Sequence, residues 1–299
     1  MKMDFIYTTT TDDLRLQGVL YDSESKNSIV LFIHGMSGNV IENYFTHVLG
    51  QTLANNGISF LYSHNRGYNH INDIATSELK NHGGHKTVRV GATFEQFTDC
   101  LLDIEAWINE CRKLGYKRII LMGHSLGCNK TIYYFYKNKP EDVIGVILAS
   151  PPDMVGLAKK QEYQPNFEKL YQEAQTNVST GEPRKILSTL IWDWYNLSSQ
   201  TFLSLFSENT EIDNLPLLRN PSAFQQLATI DVPMLGFMGE YDDIAIRTLK
   251  EDLDLIASKA TSCPAFQKEF ISKASHTYDG AEKQVAEIVL KWTRNLIGS

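Results

Sequence analysis

No stretch of this chain approaches the roughly 20 consecutive apolar residues that a membrane span needs. Its start, Met1-Lys2-Met3-Asp4-Phe5-Ile6-Tyr7-Thr8, lacks the basic-then-apolar layout of a secretion signal. A soluble, cytoplasmic protein is the expectation. Positive charge is not in excess either: 28 Lys and Arg against 35 Asp and Glu leave a formal charge of −7, which provides no footprint for nucleic acid or an anionic membrane surface. Cysteine is scarce, and Cys100, Cys111, Cys128 and Cys263 form no C-x-x-C pair. Cys100 and Cys111 fall in one expected helix, so reduced thiols in the packing are favoured over disulfides or a zinc site. There is no internal repeat, no low-complexity segment and no linker-like shift in composition. What is present is a chain of 299 residues, 42% of them hydrophobic, enough for one large α/β domain with an insertion or for two small domains. Without a linker one domain is the expectation, with a small molecule as its partner.

The apolar pattern alternates between two periods. Residues 4–10 and 14–21 alternate apolar and polar positions around Thr11-Asp12-Asp13, predicting an antiparallel hairpin at a sheet edge. Residues 28–33, 58–62, 118–122, 143–149 and 232–238 are mostly apolar and do not alternate, as expected of parallel strands covered on both faces. Residues 266–271 complete the strands. Helical spacing covers residues 40–56, 128–138 and 284–297, and a further helix opens at Thr93 with a Thr93…Gln96 capping box.

Between the strand at 118–122 and the helix that follows lies Gly123-His124-Ser125-Leu126-Gly127. Strand, G-x-S-x-G, helix is the arrangement of a nucleophile elbow. The serine occupies a sharp turn, glycines avoid Cβ clashes around it, and the helix start aims unpaired N–H groups at the reacting centre. With this motif, His34-Gly35-Met36 after the strand at 28–33, and an acid and a histidine downstream in that order, the chain resembles an α/β-hydrolase of the serine carboxylesterase kind. The resemblance implies a mostly parallel twisted sheet flanked by helices, with a helical cap inserted over the serine. Residues 1–150 and 230–299 would form the core and residues 151–229 the cap.

The same resemblance supplies roles. Ser125 is the nucleophile, His276 the base and Asp242 the acid that orients it, each following a predicted strand. His276 is the only histidine after His124, so an order of Ser, acid, His leaves no other base. The ending Gly239-Glu240-Tyr241-Asp242 favours Asp242, with the adjacent Asp243 as the alternative. The backbone N–H groups of Met36 and Leu126 are the implied oxyanion donors, and His34 and Gly35 are implied to lie against the substrate. His124 is read as packing or hydrogen bonding within the elbow. Asn65-Arg66-Gly67-Tyr68-Asn69 resembles the family's R-G-x-G turn with Asn69 in place of the second glycine.

Residues 151–229 contain no long buried strand and are rich in aromatics, among them Trp192, Trp194, Tyr195, Phe202 and Phe206. Trp192, Trp194 and Phe202 are the candidates for contact with substrate, with packing of the insertion onto the core as the other reading. His64, His70, His82 and His85 fall in an expected loop region, and without a carboxylate or cysteine cluster they make a poor ligand set. Neither metal nor cofactor is expected. The functional expectation is cleavage of a small-molecule carboxylic ester through an acyl-enzyme on Ser125. A thioesterase, amidase or acyltransferase with the same triad is the alternative, and a ligand-binding module without turnover a more distant one. The oligomeric state is open, with a homodimer as one outcome.

Overall fold

A computed structural model of the protein describes residues 1–160, 162–219 and 223–298. Strands β1 (Lys2–Thr9) and β2 (Arg15–Asp22) form the expected antiparallel hairpin at one edge. They are followed by β3 (Ile29–Ile33), helix α1 (Tyr44–Asn55) and β4 (Ser59–Ser63). After a separate two-stranded hairpin, β5 (Asn72–Leu79) and β6 (His85–Val90), come α2 (Cys100–Lys113), β7 (Ile119–His124), α3 (Leu126–Asn138) and β8 (Val143–Ala149). Three helices, α4 (Met154–Lys159), α5 (Phe167–Ser179) and α6 (Ser199–Phe206), separate β8 from β9 (Met234–Gly239). The chain closes with α7 (Leu249–Lys259), β10 (Phe266–Ile271) and α8 (Glu282–Gly298).

The main sheet runs in the order β1-β2-β4-β3-β7-β8-β9-β10, and from β4 to β10 every neighbouring pair is parallel. This is the mostly parallel α/β sheet expected. In β3 and β7 successive side chains point to opposite faces, and both faces are covered. Leu31 and Leu121 pack with α2 and α3 residues such as Trp107 and Ile132, whereas Phe32 and Met122 pack with α1 and α8 residues such as Phe45 and Val289. Burial on both sides is why these strands read as continuous apolar runs. Among the described residues, no helix is long and apolar enough to cross a membrane.

Strand order decides where a site can form. The chain leaves β3 for β4 on one side and returns to β7 on the other, so the carboxyl ends of β3 and β7 flank a topological switch point, where open α/β sheets leave a crevice. The register pairs Ile33 with Gly123, which brings the His34-Gly35 loop beside His124 and Ser125.

Three sequence expectations are corrected here. The histidine-rich segment is not an open loop: residues 72–90 pair as β5 and β6, with Gly83 and Gly84 at positive φ in the turn. The helix expected from Thr93 starts at Cys100, after a 3₁₀ turn at Phe97–Asp99, and the capping box is absent. The cause is tertiary. Backbone N–H groups of Gly91, Ala92 and Thr93 donate to the carbonyls of Arg66, Asn69 and His70, and Glu95 turns inward to a buried ion pair with Lys130, so this stretch is held out of a helix. The first helix likewise begins at Tyr44, because the Asn39 side chain accepts from the N–H groups of Ile41 and Glu42 in a preceding turn.

Candidate active site

Ser125 stands between β7 and α3 with φ 54° and ψ −131°, a backbone conformation that costs a non-glycine residue of order 1–3 kcal/mol. The surroundings hold it there: its N–H donates to the Ala149 carbonyl at 3.0 Å and its carbonyl accepts from Cys128 at 2.8 Å. Two glycines make the turn possible. A Cβ on Gly127 would run into the carbonyl of Ile33, and one on Gly35 would lie 2.8 Å from the Ser125 Cβ. The His34-Gly35 loop therefore approaches the elbow more closely than any larger residue would permit.

His276 and Asp242 arrive from the far side of the sheet. Asp242 follows β9 and His276 follows β10, and the His276 Nδ1 lies 2.9 Å from Asp242 Oδ1. Asp242 is buried. Burial alone would raise its pKa, but the His276 hydrogen bond and charge, the Ser150 hydroxyl and the Ile244 N–H together hold it below the ordinary carboxylate value. For His276, burial lowers the pKa, and the hydrogen bond to Asp242 with the charges of Asp242 and Asp243 outweighs it, leaving the imidazole above its ordinary value. With Nδ1 engaged, Nε2 is the nitrogen free to exchange a proton.

Two residues that the sequence did not single out complete this arrangement. The Ser150 hydroxyl donates to Asp242 Oδ2 and lies 2.6 Å from the Tyr278 hydroxyl, all of it buried. Ser150 and Tyr278 have φ of 52° and 58°. Their positions, directly after β8 and two residues after His276, are the only hint in the sequence.

A cavity of about 650 Å³ opens over the serine and is lined by Ser125, His276, Gly35, Met36, Trp192 and Trp194, among others. Leu126, the first residue of α3, has no helical acceptor for its N–H, and Met36 lies on the cavity wall. Two expected substrate contacts are corrected. His34 is fully buried and works behind the wall: its Nε2 accepts from the Asn65 N–H at 3.0 Å, and its Nδ1 lies 2.8 Å from the Gly35 carbonyl. Burial, then the charge of Lys130 and the neighbouring His64, keep it neutral with a pKa well below its ordinary value. Phe202 is also fully buried, packed among Phe167, Tyr171 and Phe206, because α6 turns that face to α5 rather than to the cavity. His124 is pushed down to about 3 by burial and the neighbouring His276, and its Nε2 meets the His276 carbonyl at 2.9 Å.

Asn69 takes φ 56°, the left-handed conformation that asparagine tolerates where a glycine would be usual. Beside it, Arg66 is buried against Asp103 and also pairs with Asp12 and Asp99. That side chain is occupied with holding the turn. Among the described residues, the one group of three metal-capable side chains is Asp242, Asp243 and His276, with ligand atoms within 4.8 Å of one another. His276 Nδ1 and Asp242 Oδ1 are already hydrogen-bonded to each other. The four cysteines are free.

Residues 95–297, more than half of the chain, match a family described as protein of unknown function (DUF1749). No curated protein matches the sequence significantly. Similar solved structures include Est1E from Butyrivibrio proteoclasticus with ferulic acid bound, at 17% identity over 98% of this chain and 100% of that one, with TM-score 0.66. The Pyrococcus furiosus esterase PF2001 is 14% identical over 98% and 91% of the two chains, TM-score 0.61, and the α/β hydrolase GrgF from Penicillium sp. sh18 is 14% identical over 100% of both, TM-score 0.67. At these identities the likeness concerns the fold. The sheet order, the elbow and these matches together establish that the chain belongs to the DUF1749 family and carries the α/β-hydrolase fold.

Proposed function

We propose that the protein is a serine hydrolase that cleaves carboxylic esters through an acyl-enzyme on Ser125. The observation that carries this reading is a strained serine at a strand-to-helix turn, sharing one cavity with a histidine whose other nitrogen is bonded to a buried, ionised aspartate. A serine hydroxyl is a poor nucleophile unless a base removes its proton. His276 Nε2 takes that proton as Oγ attacks the ester carbonyl. The N–H groups of Met36 and Leu126 stabilise the oxyanion, His276 returns the proton to the departing alcohol, and water then releases the acid. Labelling with a fluorophosphonate probe tests the reading: modification of the wild-type protein at Ser125 supports it, and a folded protein that resists the probe argues for a binding module.

Residues 151–229 are proposed as the cap, since the turn between Ile191 and Tyr195 carries Trp192 and Trp194 to the cavity wall. Trp192→Ala and Trp194→Ala are expected to change the kcat/KM ratio between an aryl ester such as methyl ferulate and a short aliphatic ester by about ten- to two-hundred-fold. Phe202→Ala should instead cost about 3–5 kcal/mol of stability and leave the ranking of substrates alone. Initial rates on the ester panel, with melting temperatures, separate the two outcomes.

Ser150 is proposed to position Asp242. Losing a hydrogen bond to a charged group costs about 1.5–3 kcal/mol, so Ser150→Ala is expected to lower kcat roughly ten- to hundredfold with little change in KM for a small ester. Wild-type kcat in that variant would mean that His276 and the Ile244 N–H hold the carboxylate unaided.

A further inference from the structure

The cavity over Ser125 has an unusual balance of charge. Glu42, Glu162, Asp193 and Asp243 all line it, each from a different segment of the chain, and no lysine or arginine does so among the described residues. Among the described residues none of the four carboxylates has a salt-bridge partner, although ion pairs are frequent elsewhere in the molecule. Lys160, which adjoins this rim in sequence, is engaged by backbone and ring: its Nζ donates to the Ala245 carbonyl at 2.9 Å and lies over the Tyr163 ring. Asp243 comes closest to the reacting groups, with a carboxylate oxygen within 4.8 Å of ligand atoms of His276 and Asp242.

Aromatic faces accompany these charges. Residues 191 and 195 bond to each other through both backbone pairs at 2.9 Å, and the turn between them places Trp192 and Asp193 at φ 52° and 55°. Such tight hairpin turns ordinarily use Asn-Gly, and left-handed backbone is disfavoured for a residue as bulky as tryptophan. Asp193 lies between Trp192 and Trp194 in the chain, all three line the cavity, and Trp194 is 65% exposed. Indole faces attract ammonium groups. A recess with low-dielectric walls and charge of one sign concentrates ligands of the other sign.

We propose that the cavity selects substrates carrying a positively charged amine, primary or quaternary, near the scissile ester, and excludes substrates carrying an anion. The proposal rests on the hydrolase reading above. The neutral reacting ester sits at Ser125 and the cation lies against the rim of Asp193, Glu162 and Glu42, beside Trp192 and Trp194.

The test compares esters matched in shape and different in charge. On the alcohol side these are butyrylcholine, 3,3-dimethylbutyl butyrate and the butyrate ester of 2-hydroxyethanesulfonate. On the acyl side they are the p-nitrophenyl esters of 4-(trimethylammonio)butyrate, 5,5-dimethylhexanoate and glutarate. In at least one set kcat/KM should fall by about tenfold from cation to neutral ester and again to anion at 10 mM salt, and the spread should collapse at 1 M salt, where the Debye length drops from about 30 Å to 3 Å. In Glu162→Gln/Asp193→Asn the cation-to-anion ratio should move toward unity. A flat order in both sets, or an order that the double variant leaves intact, overturns the proposal. Binding read without turnover keeps the two readings apart: tryptophan fluorescence titrated with butyltrimethylammonium, 3,3-dimethylbutanol and 3,3-dimethylbutyrate should show the same charge order whether or not Ser125 reacts with a fluorophosphonate. Equal affinities for the three compounds sink the charge proposal alone, whereas failure of the probe to label Ser125 sinks the hydrolase reading alone.

Discussion

Ser125→Ala is expected to remove ester hydrolysis while the protein stays folded. Loss of the nucleophile in a serine hydrolase costs about 10⁶ in kcat, and a residual 10³–10⁴ over the uncatalysed reaction persists from the oxyanion donors and binding alone. The fold should tolerate the change because the side chain makes no cap hydrogen bond to α3, and the strained turn is held by backbone bonds from Ala149 and Cys128 that alanine retains. The measurement is p-nitrophenyl acetate hydrolysis beside a thermal melt. A variant with an unchanged melt and a near wild-type rate would remove Ser125 from the chemistry.

Asp242→Asn carries the second large effect. The carboxylate accepts from His276, and an amide in its place either turns a donor toward Nδ1 or forces the other tautomer, leaving Nε2 protonated and unable to act as base. The equivalent change in a serine protease costs about 10⁴ in kcat. Asp243→Asn should cost less than about tenfold, because Asp243 is exposed and acts on His276 through charge rather than by a hydrogen bond. The pH dependence has a definite sign. His276 must be neutral to accept the proton, so kcat/KM rises with pH as the imidazole deprotonates. Since the folded-state pKa is raised, the midpoint in wild type should lie above the ordinary histidine value of 6.5. Asp243→Asn removes one of the charges that raise it, so its midpoint should move down. Equal losses in the two variants, or a midpoint below 6.5 in wild type, would contradict this assignment of roles.

The buried polar groups behind the site have a structural consequence. Lys130 and Glu95 pair in the core, Lys130 also reaches Asn65 Oδ1 at 3.3 Å, and Asn65 in turn fixes His34. Removing one partner of such a pair leaves an uncompensated buried charge and costs about 3–5 kcal/mol. Lys130→Met is therefore expected to lower thermal stability sharply, and a melting curve indistinguishable from wild type would show that Glu95 is held neutral without it.

Local chemistry made part of this protein readable from its residues. Unbroken apolar runs mark strands buried on both faces, and glycines around a serine mark a turn that only they permit, because both signals depend on neighbours in the chain. From these came the parallel strands and the elbow at Ser125, and the family resemblance that these motifs carry implied Asp242 and His276, which the fold brings around or behind one cavity with Ser125. Other features depend on contacts between distant segments, and no local pattern encodes them. Thr93 to Gln96 resembles a helix start, yet hydrogen bonds to residues 66–70 and the buried pair of Glu95 with Lys130 hold it out of a helix. Phe202 and Trp192 look alike as aromatics of the insertion, and only the packing of α6 on α5 buries the first while a left-handed turn directs the second to the cavity. Ser150, Tyr278 and the acidic rim became visible only in three dimensions, because strand order, set by which apolar faces pack together, decides which loops meet at the carboxyl edge of the sheet.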